Sequence, residues 1–580
     1  MKPKRTVIPL GLIICLVAGV FAVAQLYYAS WLNALYYEKN APFYDSISYL
    51  DQLFRTWEAT RDHGLLAGFK KSMSGTTGLP FMLIPPISNF VVPSRTLAIA
   101  LQSFWVFALY ASLAWFFIRH KGAGLIVGLS LPALFVSIAG IYYYNGGISD
   151  FRMDLQMYLC FGLAVVWFLI ARDSKTAGSW FALGAICGLA CLGRATAPVF
   201  LVLTLGPMVL VSWLTKRMDF ADVCRATAYA SVACIGVAGW FYIINWETLY
   251  YYYFIWNLDA NAHLPLSQSV SHFRYAYAST GAIIIVAGLL LLILRAIAQW
   301  QASPLLKSPQ AESKTSWFYT IDWAIIFPAL VPAGFLMARG AGLNPFVSMP
   351  SAFGVVLLMI MLSRPWSFTS SMSAWAAIII VFGSIGTALG GISSHASPPG
   401  SYNQISGYKQ AWNIITHNAT GHSAEDVKIA QLGLGYFSVQ ALFNYITFDT
   451  KSLREGHFII EDKVYYKLSG RHTSYGMAAS PADWIKVPGV SDDAKRKSII
   501  NIFNQQVSFL IVPTDATTIF LETYTRHNFI NTQLTSLRDK ILLDDSWVQV
   551  GPEFSISEQE HYVILMNRDL LRTNTIEDRR

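Results

Sequence analysis

Charge is what this chain has least of. Asp, Glu, Lys and Arg make up only 13% of its 580 residues, where a soluble domain carries about 25%. Together with a hydrophobic share of 54% and a mean hydropathy of +0.42, that deficit excludes a water-soluble globular protein and marks an integral membrane protein. Cysteine is also scarce. The six (Cys15, Cys160, Cys187, Cys191, Cys224 and Cys234) avoid long polar segments and lack zinc-ligand spacing with histidines, which argues against disulfides and a cysteine-zinc site. No internal repeat is evident. The net charge of +8 is no sign of nucleic-acid binding, because it resides largely in short loops between apolar runs, where membrane topology requires Lys and Arg.

What is abundant is aromatic side chains and long apolar runs. The 18 Trp, 29 Tyr and 36 Phe suit interfacial belts, most densely at Tyr250 to Trp256. Lys2, Lys4 and Arg5 precede an apolar run from Val7 to Ala24, which predicts a cytoplasmic N-terminus. Ala22-Val23-Ala24 is similar to a signal-peptidase site, but the run exceeds a usual signal core and reads as a retained first span. Further runs at 96–118, 123–144, 155–171, 178–192, 197–214, 226–246, 275–294, 323–338, 345–363 and 373–392 are each near spanning length. Threaded alternately, these eleven segments bring Arg119/Lys121, Arg172/Lys175, Lys216/Arg217/Arg225, Arg295/Lys307/Lys314 and Arg364 to the starting side. The stretch 178–214 is too long for one span and reads as two, with a turn at Gly193 to Pro198.

The expected fold is therefore a polytopic α-helical membrane protein of about eleven transmembrane helices with a C-terminal extracytoplasmic α/β domain. Residues 1–392 form the membrane domain, including a first outer loop at 31–94, and 393–580 form a soluble domain of ordinary size. In the latter, Val427 to Leu432, Ser508 to Val512, Trp547 to Val550 and Tyr562 to Met566 read as strands, and Tyr436 to Tyr445 and Asp492 to Asn504 as helices. Gly433-Leu434-Gly435 lacks the third glycine of a nucleotide loop.

The first outer loop holds the most suggestive residues. Asp45 precedes a run with Ile47, Leu50, Leu53, Phe54 and Trp57 at helical spacing, which predicts an amphipathic helix lying flat on the bilayer. Asp45 caps that helix on one reading; on the other it is a carboxylate at the water-lipid boundary that takes a proton from a hydroxyl. Asp150, Arg152 and Asp154 open a later span, the two acids four residues apart on one helical face. They form either an ion-paired helix start or, with Asp45, oxygen ligands that could hold a divalent cation. Arg194 and Arg339 stand at the outer ends of spans, as snorkelling arginines or as a bidentate clamp for a phosphate. His263 and His272, in the long loop before the eighth span, and His395, after the last, are candidates for an acceptor or substrate loop, against the commoner role of a solvated or capping histidine.

A cytoplasmic N-terminus, an acid near the membrane in the first outer loop followed by an amphipathic helix, acids opening a later span, about eleven spans and an α/β C-terminal domain together resemble the C-type membrane glycosyltransferases (GT-C fold), among them the protein mannosyltransferases and the bacterial aminoarabinose transferase. The resemblance covers essentially the whole chain. It implies a bacterial inner-membrane enzyme with a periplasmic C-terminal domain. Such an enzyme moves one sugar from a polyprenyl-phosphate donor to a glycan, lipid or protein acceptor, with inversion and with no certain cofactor. It makes Asp45 the first-loop catalytic acid, Asp150 or Asp154 the second-loop acid, and Arg194 or Arg339 a ligand of the lipid phosphate, with Arg152 beside them. Two departures bear on this. Asp45 is followed by Ser46 where many relatives have Asp-Glu, and the WWDYG signature of oligosaccharyltransferases is absent, which argues against en bloc transfer to asparagine. The rival class is a transporter or flippase of a lipid-linked substrate, which explains the outer domain less well. A scaffold for an envelope polysaccharide complex, with the acids as caps, is a third.

Overall fold

The structure, a computed structural model, describes residues 9–32, 45–75, 77–91, 93–143, 146–194, 196–250, 270–271, 274, 277–302, 322–339, 345–395, 404–418, 429–431, 491–514, 528–555 and 561–569. It is mostly helical, with a small sheet near the C-terminus. The helices used below are α1 (Leu10–Leu32), α2 (Asp45–His63), α3 (Leu65–Ser72), α4 (Arg95–Trp115), α5 (Leu125–Val136), α6 (Met153–Ser174), α7 (Ala177–Gly193), α8 (Ala197–Leu214), α9 (Phe220–Ile244), α10 (Ala282–Ala302), α11 (Phe327–Arg339), α12 (Pro345–Ser363), α13 (Ser370–His395), α14 (Gln404–Asn418), α15 (Asp492–Gln506) and α16 (Asn528–Leu542).

Among the described residues, eight helices are long and apolar enough to cross a membrane: α1, α4 with its π-helical extension to His120, α6, α8, α9, α10, α12 and α13. Three of the expected apolar runs fold as shorter apolar helices, Leu125–Val136, Ala177–Gly193 and Trp323–Gly334. The expected break between two spans falls where the sequence places it, with α7 ending at Gly193 and α8 starting at Ala197. Helix α1 runs uninterrupted through Ala22-Val23-Ala24, and beyond them Gln25 Nε2 donates to the Val136 carbonyl and the Tyr142 hydroxyl, both at 2.9 Å.

The chain divides into two compact units, 1–32 with 59–87 and 96–397, and 33–58 with 88–95 and 398–580. In the first, α6 is the central element: 94% of its most apolar window is buried, against 11% for α9 and 22% for α1 and α10, whose apolar side chains face outward. The exposed apolar surface therefore falls on the outer helices, and α6 is held by packing against α7 and α12. The backbones of α7 and α9 approach closely. A Cβ on Gly184 would lie 2.2 Å from the Ala230 carbonyl oxygen, and one on Gly188 2.7 Å from Val237 Cβ. Small residues four apart allow backbones to meet this closely without a hydrophobic driving force.

In the second unit, β1 (Ile429–Gln431) pairs parallel with β2 (Phe509–Pro513), and β2 pairs antiparallel with β5 (His561–Asn567). β3 (Trp547–Gln549) and β4 (Phe554–Ser555) both add antiparallel to β5, giving, among the described residues, five strands in the order β1-β2-β5-β3 with β4 also on β5. Phe503 and Val507, at the end of α15 and just past it, and Leu537 and Ile541 of α16 bury against Leu510, Val512, Val563 and Leu565. Asn504 ties this core together: it accepts from Trp547 Nε1 at 2.8 Å and donates to Asp544 Oδ2 at 3.1 Å. The expected strands at 508–512, 547–550 and 562–566 and the helix at 492–504 form within a residue or two of their predicted bounds. Of the strand expected at 427–432, residues 429–431 are described and form β1, and the helix at 436–445 and Gly433-Leu434-Gly435 lie outside the described residues.

One expectation is overturned. The apolar face of α2 does not lie open to a bilayer: Leu50, Leu53, Phe54 and Trp57 are buried, and Trp57 Nε1 donates to the carbonyls of Ser88 and Val91 at 3.1 and 3.0 Å. An amphipathic pattern says that one face is apolar, not whether protein or lipid covers it.

Candidate functional site

The candidate acids of the second loop gather at the N-terminal end of α6. Ahead of it, Ile148 N–H donates to the Ile141 carbonyl at 2.8 Å, and 146–150 form a turn. Gly147 is required there, because a Cβ would lie 2.2 Å from the Tyr143 carbonyl oxygen and 2.5 Å from that of Ile141. Asp150, fully buried, closes the turn: its Oδ2 accepts from Gly146 N–H at 2.8 Å, and its carbonyl accepts from Gln102 Nε2 at 3.0 Å and Arg152 N–H at 2.8 Å. Asp150 thus builds the loop through its bonds to Gly146, Gln102 and Arg152 N–H.

Asp154 sits in the first turn of α6, also fully buried, and is held by two guanidinium groups. Its Oδ1 accepts from Arg194 Nη2 at 3.0 Å, and its Oδ2 lies 3.2 Å from Arg152 Nε. Arg152 is nearly buried, whereas Arg194 keeps 18% of its side chain exposed. A guanidinium has five N–H donors in a planar fork, and such a fork suits carboxylate or phosphate oxygens.

Arg194 is positioned by the end of α7 and by the first loop. Its own N–H bonds back to Ala190, and its carbonyl accepts from Ala197 N–H at 2.9 Å, so it bridges α7 and α8. The loop strand 77–79 then lies over this end: Gly78 and Leu79 N–H donate to the Leu192 carbonyl at 2.9 and 3.2 Å, and Thr77 Oγ1 donates to Leu192 and Gly193. Phe81 meets Phe151 edge-on at 6.2 Å. Asn245, at the C-terminal end of α9, pins the same loop by donating to the Met73 carbonyl at 2.8 Å and accepting from Gly75 N–H at 3.0 Å.

Of the residues expected to act together, the structure joins Arg152, Asp154 and Arg194 directly, with Asp150 in the adjoining turn. Asp45 begins α2, Arg339 ends α11 and His395 ends α13, but their side chains lie outside the described residues, as do His263 and His272 entirely. Among the described residues no group of three or more His, Cys, Asp or Glu is placed to hold a metal ion.

A second ionic cluster, at the other end of α6, was not singled out from the sequence. Arg172, only 2% exposed, pairs with Asp322 at 2.7 Å and Asp173 at 3.2 Å and reaches Ser212 Oγ at 3.5 Å. Arg217 approaches Asp322 at 3.6 Å, and Lys121 pairs with Asp173 at 2.8 Å. Burial alone would raise the Asp322 carboxyl, but Arg172, by charge and hydrogen bond, with Arg217 and Lys121, outweighs it and holds the group below the usual carboxylate range. The signal in the sequence was a lone acid immediately before an apolar run, on the side where basic residues collect.

No protein-family model matches this chain, and no curated protein matches it.

Proposed function

We propose that this protein is an integral-membrane glycosyltransferase of the GT-C kind. Its proposed reaction moves one sugar from a polyprenyl phosphate to a glycan, lipid or protein acceptor at the extracytoplasmic face. The observation that carries the reading is the Arg152–Asp154–Arg194 cluster: a buried carboxylate paired with two arginines at the end of the most enclosed apolar helix, with one arginine partly exposed. Ionisable groups at such depth are expensive and default to function. Asp154 fixes Arg194 in orientation, and Arg194 presents its fork to the phosphate of a lipid-linked donor.

In the proposed reaction the acceptor hydroxyl oxygen attacks the anomeric carbon while Asp45 takes the hydroxyl proton. The bond from the anomeric carbon to the phosphate oxygen breaks, and polyprenyl phosphate leaves with the electron pair, its charge balanced by arginine. Eleven crossings from a cytoplasmic N-terminus, counting the three shorter apolar helices, place the first loop and the C-terminal unit on the outer side in this reading.

Asp45→Asn tests it. Asn caps a helix about as well as Asp, so a capping role predicts little change. A general base predicts a loss of turnover of about a hundred- to ten-thousand-fold with donor binding and melting unchanged. Turnover of a polyprenyl-phosphate sugar by the purified variant near the wild-type rate would remove Asp45 from the mechanism.

A further inference from the structure

The helix that the sequence marks for the bilayer surface, α2, has its apolar face covered, and the next helix does not. Over Leu65–Ser72, α3 reads LLAGFKKS and turns Gly68 and Ser72 inward. Leu65 and Leu66 are left 53% and 83% exposed, with Phe69 half-buried between them and Lys70 exposed. Leu66 and Lys70 are one turn apart on the same strip of the helix. An open leucine pair beside a lysine is a costly surface in water.

Its place in the fold says what covers it. Met73 and Gly75, just past the end of α3, are both bonded to Asn245, which ends the outward-facing helix α9. On either side of Asn245 stand exposed Ile243 and Ile244, then exposed Trp246, stacked on exposed Tyr250 at 6.1 Å. Isoleucines giving way to Trp and Tyr at the end of an apolar helix mark the level where hydrocarbon gives way to headgroups. The segment 77–79 is pinned at the end of α7 as well, so α3 lies where two apolar helices terminate.

We propose that α3 is an interfacial anchor seated in the headgroup layer of an anionic phospholipid leaflet. Leu65 and Leu66 dip into the acyl region, and Lys70 extends its aliphatic stem along them to place its ammonium on a lipid phosphate. Lys71, half-buried on the neighbouring strip, adds to the same positive field. Because the loop after α3 is bonded to the end of α7 that carries Arg194, the anchor sets the depth of that arginine in the leaflet. This inference requires only that the apolar helices be in a membrane, so it stands or falls separately from sugar transfer.

The test uses the full chain in lipid nanodiscs, with exposed Cys15 and Cys224 replaced by Ser. A nitroxide is attached to Leu66→Cys in one sample and Lys70→Cys in another, and its collisions with oxygen and with a water-soluble nickel chelate are compared. The label at 66 should favour oxygen and the label at 70 the chelate. Adding phosphatidylglycerol to a phosphatidylcholine disc should move the label at 66 deeper, and Lys70→Gln with Lys71→Gln should abolish that shift. Both labelled sites are exposed, so an intact fold is expected and is verified by melting. A label at 66 as open to the chelate as one in water overturns the anchor, and immersion that ignores phosphatidylglycerol overturns the lysine-phosphate contact.

Discussion

The two ends of α6 carry buried ionic clusters of similar make-up that behave differently. At its start, Asp154 is shared by Arg152 and Arg194, and the outermost arginine stays in partial contact with the surface. At its finish, Arg172 is enclosed and satisfied by Asp322 and Asp173, with Arg217 and Lys121 around them. Burying an ion pair costs desolvation that its attraction only roughly repays, so a closed pair is poor evidence of function and good evidence of a fixed junction. The finish joins the ends of α6 and α8 to the chain entering α11. The start joins helix ends too, but through a loop built on Gly147 and Asp150, and its Arg194 stays partly exposed. One end encloses its arginine, and the other leaves Arg194 in partial contact with the surface.

The contrast is broken most forcefully at the closed end. Asp322→Ala strands Arg172, and a loss of about 3 kcal/mol is expected, since removing one partner of a buried pair is far costlier than replacing both. Arg172→Met together with Asp322→Leu should recover most of it. Melting in detergent measures both, and an unchanged melting temperature in Asp322→Ala would show that the closed end is not closed.

At the open end, Arg194→Lys keeps a cation for Asp154 but loses the planar fork. Donor affinity should fall about tenfold, a change of about 1.4 kcal/mol, while melting moves little. Equal donor affinity in Arg194→Lys and the parent would place the phosphate elsewhere.

Acid sharpens the same contrast. The folded Asp322 carboxyl titrates below its unfolded value, so its contribution is complete above the unfolded value, about 3.9, and is lost as pH falls through the folded one. Melting temperatures from pH 6 down to 3 should fall less steeply in Asp322→Asn than in the parent, and parallel slopes would remove the linkage. The smallest effect belongs to Lys121→Gln at the rim of the closed end, where a partly exposed pair is worth about 0–1 kcal/mol.

Several features were legible in the sequence because they depend on local composition. Apolar runs, the break before Pro198, the basic residues between runs and the strands around Phe509 and Ile564 follow from residue type and spacing alone. The acids Asp150 and Asp154 were legible as a pair at a helix start. Their surroundings were not, because the Asp150 carboxylate bonds the Gly146 amide while Asp154 pairs with arginines from two segments, and only the folded loop brings these together. The α2 pattern gave an apolar face whose covering depends on the segment around Ser88, some thirty residues on. The Arg172–Asp322 pair spans 150 residues of sequence, and nothing local could join them. Periodicity determines which faces must be buried and which ends must be charged. The partner that buries or pairs them is a matter of long-range packing, fixed only when the helices close around α6.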